Sequence, residues 1–246
     1  MKRFNWQIWF GLGLIGLSAG LYWIHYLIFH ESHHIFIFLV EDIAFVPIEV
    51  LLVSLIIHRL LSLREKRAMM KKLNMVIGTF FNDTGTQMLH MLSDFDIQLN
   101  EIQECLIPDS GWKEKDFVNA MNKARNHDAL IRVNPAKLGM MKSFLAGRRD
   151  FLLRLLENPN LLEHESFTDL LWAVFHLADE LSRREKINDL PEKDLKHLTG
   201  DINRVYASLI TIWLNYMLHL KQDYPYLYSL ALRSNPFDAD AAVMIR

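Results

Sequence analysis

Three carboxylates, Glu41, Asp42 and Glu49, stand inside a run of residues, Ile35 to Ile57, that is otherwise almost wholly apolar. Ionisable groups in such a run pair with one another, or line a path along which protons or cations move. Asp42 and Glu49 are seven residues apart, nearly two helical turns, so they form one stripe, with Glu41 about 100° round the helix. The preceding apolar stretch, Trp6 to Phe29, has no formally charged side chain but carries His25, which in a tight antiparallel hairpin falls near the depth of Asp42. Two chemistries stay open for His25, Glu41, Asp42 and Glu49. They satisfy one another structurally, or several copies assemble them into a proton or cation path, because one hairpin cannot enclose one.

The turn between the stretches, His30-Glu31-Ser32-His33-His34, continues the theme: His25, His30, His33 and His34 are four of the eleven histidines and lie close in sequence to Glu31 and Glu41. Imidazole and carboxylate together can hold zinc or another divalent ion, and Glu31 to His34 has E-x-x-H spacing. The same residues also suit a polar turn at a membrane surface, or histidines that sense pH. Farther on, His176 with Asp179, and Asp194 with His197, have an i,i+3 spacing that can serve a metal in a helical bundle, but the paired Glu-x-x-His motifs of a di-iron bundle are absent. Solvated or locally paired side chains are the simpler account of those four. His164 to Thr168 has a slight likeness to the phosphoacceptor segment of sensor kinases, but no glycine-rich ATP-binding segment follows, and a helix cap at Ser166 explains it better. There is no P-loop. No catalytic residue is assigned.

The elements that must carry these groups come next. Each stretch is long enough to cross a bilayer, since about 20 residues at 1.5 Å rise span about 30 Å. Lys2 and Arg3 precede the first stretch, Arg59, Arg64, Lys66, Arg67, Lys71 and Lys72 follow the second, and the turn has no lysine or arginine. That pattern places both termini in the cytoplasm. A cleaved signal peptide ending at Ser18-Ala19-Gly20 competes with this reading, but the apolar run continues well past it to Phe29. Seventeen Leu, Ile, Phe and Val residues between Ile35 and Ile57 return roughly 5 to 10 kcal/mol of insertion energy, about the size of the penalty for three acids. Insertion is feasible and is helped by any neighbour that shields the acids. Gly13, Gly16 and Gly20 on the first stretch, with a G-x-x-x-G element at Gly16 to Gly20, offer a close-packing face for that neighbour.

Residues 62 to 246 carry 24 basic and 25 acidic side chains, which excludes a nucleic-acid footprint and an acidic tail. The single Cys105 cannot form an intrachain disulfide and agrees with a reducing compartment. Three-to-four spacing of apolar residues from Leu60 to about Leu106 predicts an amphipathic helix, weakened near Gly78 and Gly85. Asn134-Pro135 and Asn158-Pro159 bracket another, Ser166 to Asp169 and Pro191 open two more, and Pro225 and Pro236 bracket the last. Ala207 to Leu220 is apolar but too short for a third span and reads as a core helix. Only Ala129 to Val133 looks strand-like.

The expected fold is therefore all-α: a transmembrane hairpin over 1–61 (spans about 6–29 and 35–57), a juxtamembrane amphipathic helix over 62–106 and a cytoplasmic helical bundle over 107–246. Taken whole, the chain resembles a group of bacterial inner-membrane proteins with two spans and a cytoplasmic helical tail. The likeness lies in HYLIFHESHHIFIFLVEDIAFVPIEVLLVSLIIHRLL from His25, KKLNMVIGTFF from Lys71, RRDFLLRLLENPNLLEHESFTDLL from Arg148 and YPYLYSLALRSNPFD from Tyr224. The resemblance implies bacterial inner-membrane placement and adds no site residues. The function expected is a membrane-anchored helical sensor or scaffold that self-associates in the lipid bilayer and meets a protein partner in the cytoplasm. A small oligomeric cation or proton channel, and a metal-dependent membrane enzyme using the turn histidines, are the alternatives. No cofactor is assigned beyond the divalent metal left open above.

Overall fold

The computed structural model describes residues 4–30, 32–159, 161, 164–242 and 244. The helices start and stop largely where sequence punctuation requires. The Asn134 side chain accepts from the backbone N–H of Ala136 and Lys137 at 2.9 and 3.3 Å, satisfying donors that no helical carbonyl can reach, and Pro135 occupies the first helical position. The result is an all-α chain with eight α-helices among the described residues: α1 (Phe4–Phe29), α2 (Ser32–Phe80), α3 (Thr86–Ser93), α4 (Glu114–Arg125), α5 (Pro135–Leu156), α6 (Glu165–Ser182), α7 (Glu192–Asp223) and α8 (Pro225–Arg233). The strand-like segment contributes one isolated bridge, Asp96 to Ile131, and no strand is formed among the described residues.

The chain divides into two units, Met1–Lys66 and Arg67–Arg246. In the first, α1 ends at His30, whose left-handed backbone (φ 51°) and N–H to Tyr26 carbonyl bond of 2.9 Å close the helix. Trp9–Phe29 is the stretch, among the described residues, that is long and apolar enough to cross a membrane. The expected close hairpin is not formed within one chain. A Cβ added at Gly13, Gly16 or Gly20 meets nothing within 4 Å, so the small-residue face of α1 is unoccupied by α2.

In the second unit α7 packs against α3, α4, α6 and α8, and α6 also packs against α5. Its inward face, including Leu209, Ile210, Trp213, Leu214, Met217 and Leu220, is buried, so Ala207 to Leu220 is a core helix as its length implied. The amphipathic helix expected from Leu60 to about Leu106 is interrupted where a kink or break was expected, near Gly78 and Gly85: it is α2, one π-helical turn at Phe81–Gly85, α3 and two short 3-10 turns. Residues 67–106 fall within the second unit. The π turn has a physical cause. Phe80 and Phe81 are adjacent yet both fully buried, and the wider turn lets Phe80 meet Phe167 edge-on at 5.4 Å while Phe81 stacks on Tyr216 at 5.2 Å.

Gly85 makes room for that pair, because a Cβ there would lie 2.6 Å from Phe81 Cδ1 and 2.7 Å from Phe80 Cε1. Gly85→Ala should therefore destabilise the fold by about 1–3 kcal/mol despite the better helix propensity of alanine. Gly147, exposed in α5 with open space around it, should give the opposite sign, a gain of about 0.5–1 kcal/mol in Gly147→Ala. Thermal melts of the helical circular dichroism signal compare the two directly.

Candidate functional site

α6 and α7 pack side by side, and two i,i+4 pairs face each other across the contact: His176 and Glu180 on α6, His197 and Asp201 on α7. One donor atom from each of His176, Glu180 and His197 lies within 4.8 Å of the others. Asp201 closes the group from beneath. Its Oδ2 sits 3.3 Å from His197 Nε2 and 3.5 Å from His176 Nε2, while His197 Nε2 is 3.7 Å from Glu180 Oε2. The Asp201 side chain is only 4 % exposed, and its Oδ2 is buried without a hydrogen bond. Burying a carboxylate oxygen without a hydrogen bond is costly, and in this bundle Asp201 Oδ2 shares that condition with the neutral Tyr206 hydroxyl. The two imidazoles are about half exposed and make the group reachable from solvent.

Two arginines hold the carboxylates. Arg204 Nη1 donates to Asp201 Oδ1 at 3.1 Å. Arg184 is a fork: Nε and Nη2 donate to the two oxygens of Asp194 at 2.7 Å each, and Nη1 donates to Glu180 Oε2, also at 2.7 Å. Hydrogen bonds from Arg184 are the main reason the Glu180 and Asp194 carboxyls are held below the usual carboxylate range, against the opposing effect of burial. The same bonds push the Arg184 guanidinium up.

The i,i+3 pairs that the sequence suggested are not the ones that form. Asp179 turns to Arg149 and Arg183, at 3.3 and 3.8 Å, and Asp194 lies in the Arg184 fork. His176 and His197 keep their place in the cluster with different partners, Glu180 and Asp201. The available signal was His-x-x-x-Glu and His-x-x-x-Asp, spacings that stack one turn apart on a helix face. The expected cap at Ser166 also moves: His164 caps α6, its Nδ1 accepting from Phe167 N–H at 3.2 Å.

A second polar group is closed to solvent. Asp96 and His127 pair at 2.8 Å with both side chains buried, and the nearby Tyr206 phenol, buried without a partner, is pushed up first by burial and then by the Asp96 charge. With no open face, this pair ties the loop after α3 to the loop after α4.

The structure does not gather the residues singled out in the first unit. Glu41, Asp42 and Glu49 are exposed on α2, and none is ion-paired among the described residues. The His25 ring lies tilted by 38° against Phe29, centroids 4.8 Å apart, with its Nδ1 buried and unbonded. Tyr26 and His30 rings stack at 6.1 Å, and His33 is exposed. Glu31 and the side chain of His34 lie outside the described residues. Two short motifs also sit here that the sequence reading passed over. His30 to His34 spells H-E-x-x-H, but metalloprotease geometry needs both histidines on one helix, and His30 is left-handed and precedes α2. Gly16 to Gly20 spells G-x-S-x-G in the middle of α1, where no strand-to-helix elbow exists to expose Ser18.

Residues 69–233 match the family described as the C-terminal helical domain of Uncharacterized protein MJ1433, and residues 2–61 match its N-terminal helical domain. The chain belongs to the MJ1433 family. It is 49 % identical over 231 residues to Uncharacterized protein MJ1433 of Methanocaldococcus jannaschii, which covers 94 % of this chain and 93 % of that protein. No solved structure matches. The family boundary between residues 61 and 69 brackets the division of the structure at Lys66 and Arg67. The relative is archaeal and lends nothing to the bacterial inner-membrane placement that the resemblance implied.

The Arg184 fork gives the bundle an acid sensitivity of known sign. Glu180 and Asp194 bind protons less readily folded than unfolded, so their contribution is present above the ordinary carboxylate pKa of about 4 and is lost as pH falls through the lower folded values. Arg184→Gln should lower the melting temperature at pH 7 and flatten its fall below about pH 4, read from melts across a pH series.

Proposed function

We propose that this MJ1433-family chain is a membrane-anchored helical sensor or scaffold. Its first unit lies in a lipid bilayer and self-associates there, and its second unit is presented in the cytoplasm to a protein partner. The observation that carries the reading is the bare apolar surface of the first unit. From Trp9 to Leu63, thirty-three large apolar side chains are exposed, Trp9 at 73 %, Phe36 at 68 % and Ile28 at 65 % among them. Leaving each in water forgoes about 1.5 kcal/mol or more, far beyond the 5–15 kcal/mol that a domain has to spare. Lipid is the cover that fits Trp9–Phe29, which is free of formal charge and has Trp9 near one end and Tyr22, Trp23 and Tyr26 near the other, where interfacial aromatics settle.

The second crossing, by the start of α2, rests on composition. Ile35 to Ile57 is long enough to span, seventeen Leu, Ile, Phe and Val residues offset its acids Glu41, Asp42 and Glu49, and the basic residues from Arg59 to Lys72 follow on the cytoplasmic side. Copies of the chain supply what one copy lacks: a partner for the glycine face of α1 and shielding for Asp42 and Glu49. In cells expressing the full chain, it should stay in the membrane fraction through alkaline carbonate washing and leave only with detergent. Recovery in the soluble fraction would refute the anchor.

The exposure of Asp42 and Glu49 without ion-pair partners, among the described residues, also favours a second reading in which copies line a cation or proton path. Flux into liposomes holding the wild-type chain should then exceed flux with an Asp42→Asn, Glu49→Gln double variant. Equal flux rejects the path and leaves the acids a structural role.

A further inference from the structure

We infer that His176, Glu180, His197 and Asp201 form a binding site for one first-row divalent transition-metal ion, held between α6 and α7. An ion bound tetrahedrally at about 2.0–2.2 Å sets its donors about 3.3–3.6 Å apart. Three edges of such a figure already exist within 0.1 Å of that range: His197 to Asp201 at 3.3 Å, His176 to Asp201 at 3.5 Å and His197 to Glu180 at 3.7 Å. Four side chains from two packed helices thus converge without any change of fold. Two imidazoles with two carboxylates form a donor set for zinc, iron, cobalt or manganese, whereas magnesium and calcium prefer oxygen alone.

The buried, unbonded Oδ2 of Asp201 is an independent observation. It points between the two imidazole Nε2 atoms and lacks a hydrogen bond. A metal ion supplies the missing partner and offsets the burial of that charge. The outer contacts fit as well. Arg204 takes Asp201 Oδ1 and leaves Oδ2 to the ion. Arg184 donates to Glu180 Oε2, the oxygen that faces His197, and a carboxylate oxygen that accepts one such bond keeps a second lone pair for the ion. Such outer partners fix the orientation of metal ligands. Because the histidines are half exposed, the ion exchanges with solvent and water can complete its coordination.

The site does not depend on membrane placement, so a chain that failed carbonate washing could still pass this test. The full chain, purified in detergent and stripped with a chelator, is titrated with Co²⁺ alone and with Zn²⁺ alone. Expected are saturable binding of one ion per chain, visible absorption bands of low-symmetry Co²⁺ and a raised melting temperature. A His176→Gln, His197→Gln double variant, changed only at half-exposed side chains, should retain its helical circular dichroism. It should lose affinity by more than the roughly tenfold that follows removal of an outer partner, together with the melting shift. Glu180→Gln is a second, single-site check and should weaken binding in the same sense. A His30→Gln, His33→Gln, His34→Gln triple variant should bind as the wild type does. Absence of saturable binding, unchanged binding in both the double variant and Glu180→Gln, or loss confined to the triple variant would overturn the inference.

Discussion

Apolar side chains must leave water, and the two units of this chain meet that demand differently. In residues 67–246 they close on one another: Leu73, Phe80, Phe81, Met88, Leu89 and Leu92 from the segment after the first unit join Phe167, Leu170 and the inner face of α7 in one core. In residues 9–63 thirty-three large apolar side chains stay exposed among the described residues. A glycine face with open space beside it, and carboxylates without ion-pair partners among the described residues, lie on the same helices. Every functional reading of the first unit follows from what covers that surface, and the proposed cover is lipid together with further copies of the chain.

The second unit poses a narrower problem. Its polar groups are paired with care, as in the Arg184 fork, the Asp96–His127 pair and the Tyr228 hydroxyl that donates to the Asp109 carbonyl at 2.8 Å. Against that background the unbonded oxygen of Asp201 is informative, because the helices that bury it also bring two imidazoles and a second carboxylate to its edge. Packing α6 on α7 is what makes the cluster. Neither helix carries more than two of the four groups.

Sequence alone made much of the fold legible wherever local chemistry decides. Asn134-Pro135 named the start of α5, Pro191 and Pro225 the starts of α7 and α8, and the length of Ala207 to Leu220 separated a core helix from a span. It failed where tertiary packing decides. Gly78 and Gly85 marked the weak place in the helix but not its form, a π turn, because adjacent buried phenylalanines become compatible only once Phe167 and Tyr216 are in place. The site was half legible. His176 and His197 stood out, but their nearest acids in sequence, Asp179 and Asp194, are claimed by arginines from elsewhere in the fold, and Glu180 and Asp201 were left to face them. Motif spelling alone makes no site here, since H-E-x-x-H and G-x-S-x-G both occur where the backbone cannot use them.

The central claim is that the bare surface of the first unit faces hydrocarbon. It is tested most directly by nitroxide labels placed one at a time along 9–29 and 35–57 of a Cys105→Ser chain in lipid bilayers, with collision rates measured for oxygen and for a water-soluble nickel reagent. Two embedded spans require the ratio of oxygen to nickel collisions to climb to a maximum near the middle of each segment and fall at its ends. Nickel collisions that stay high and uniform along both segments would contradict the account.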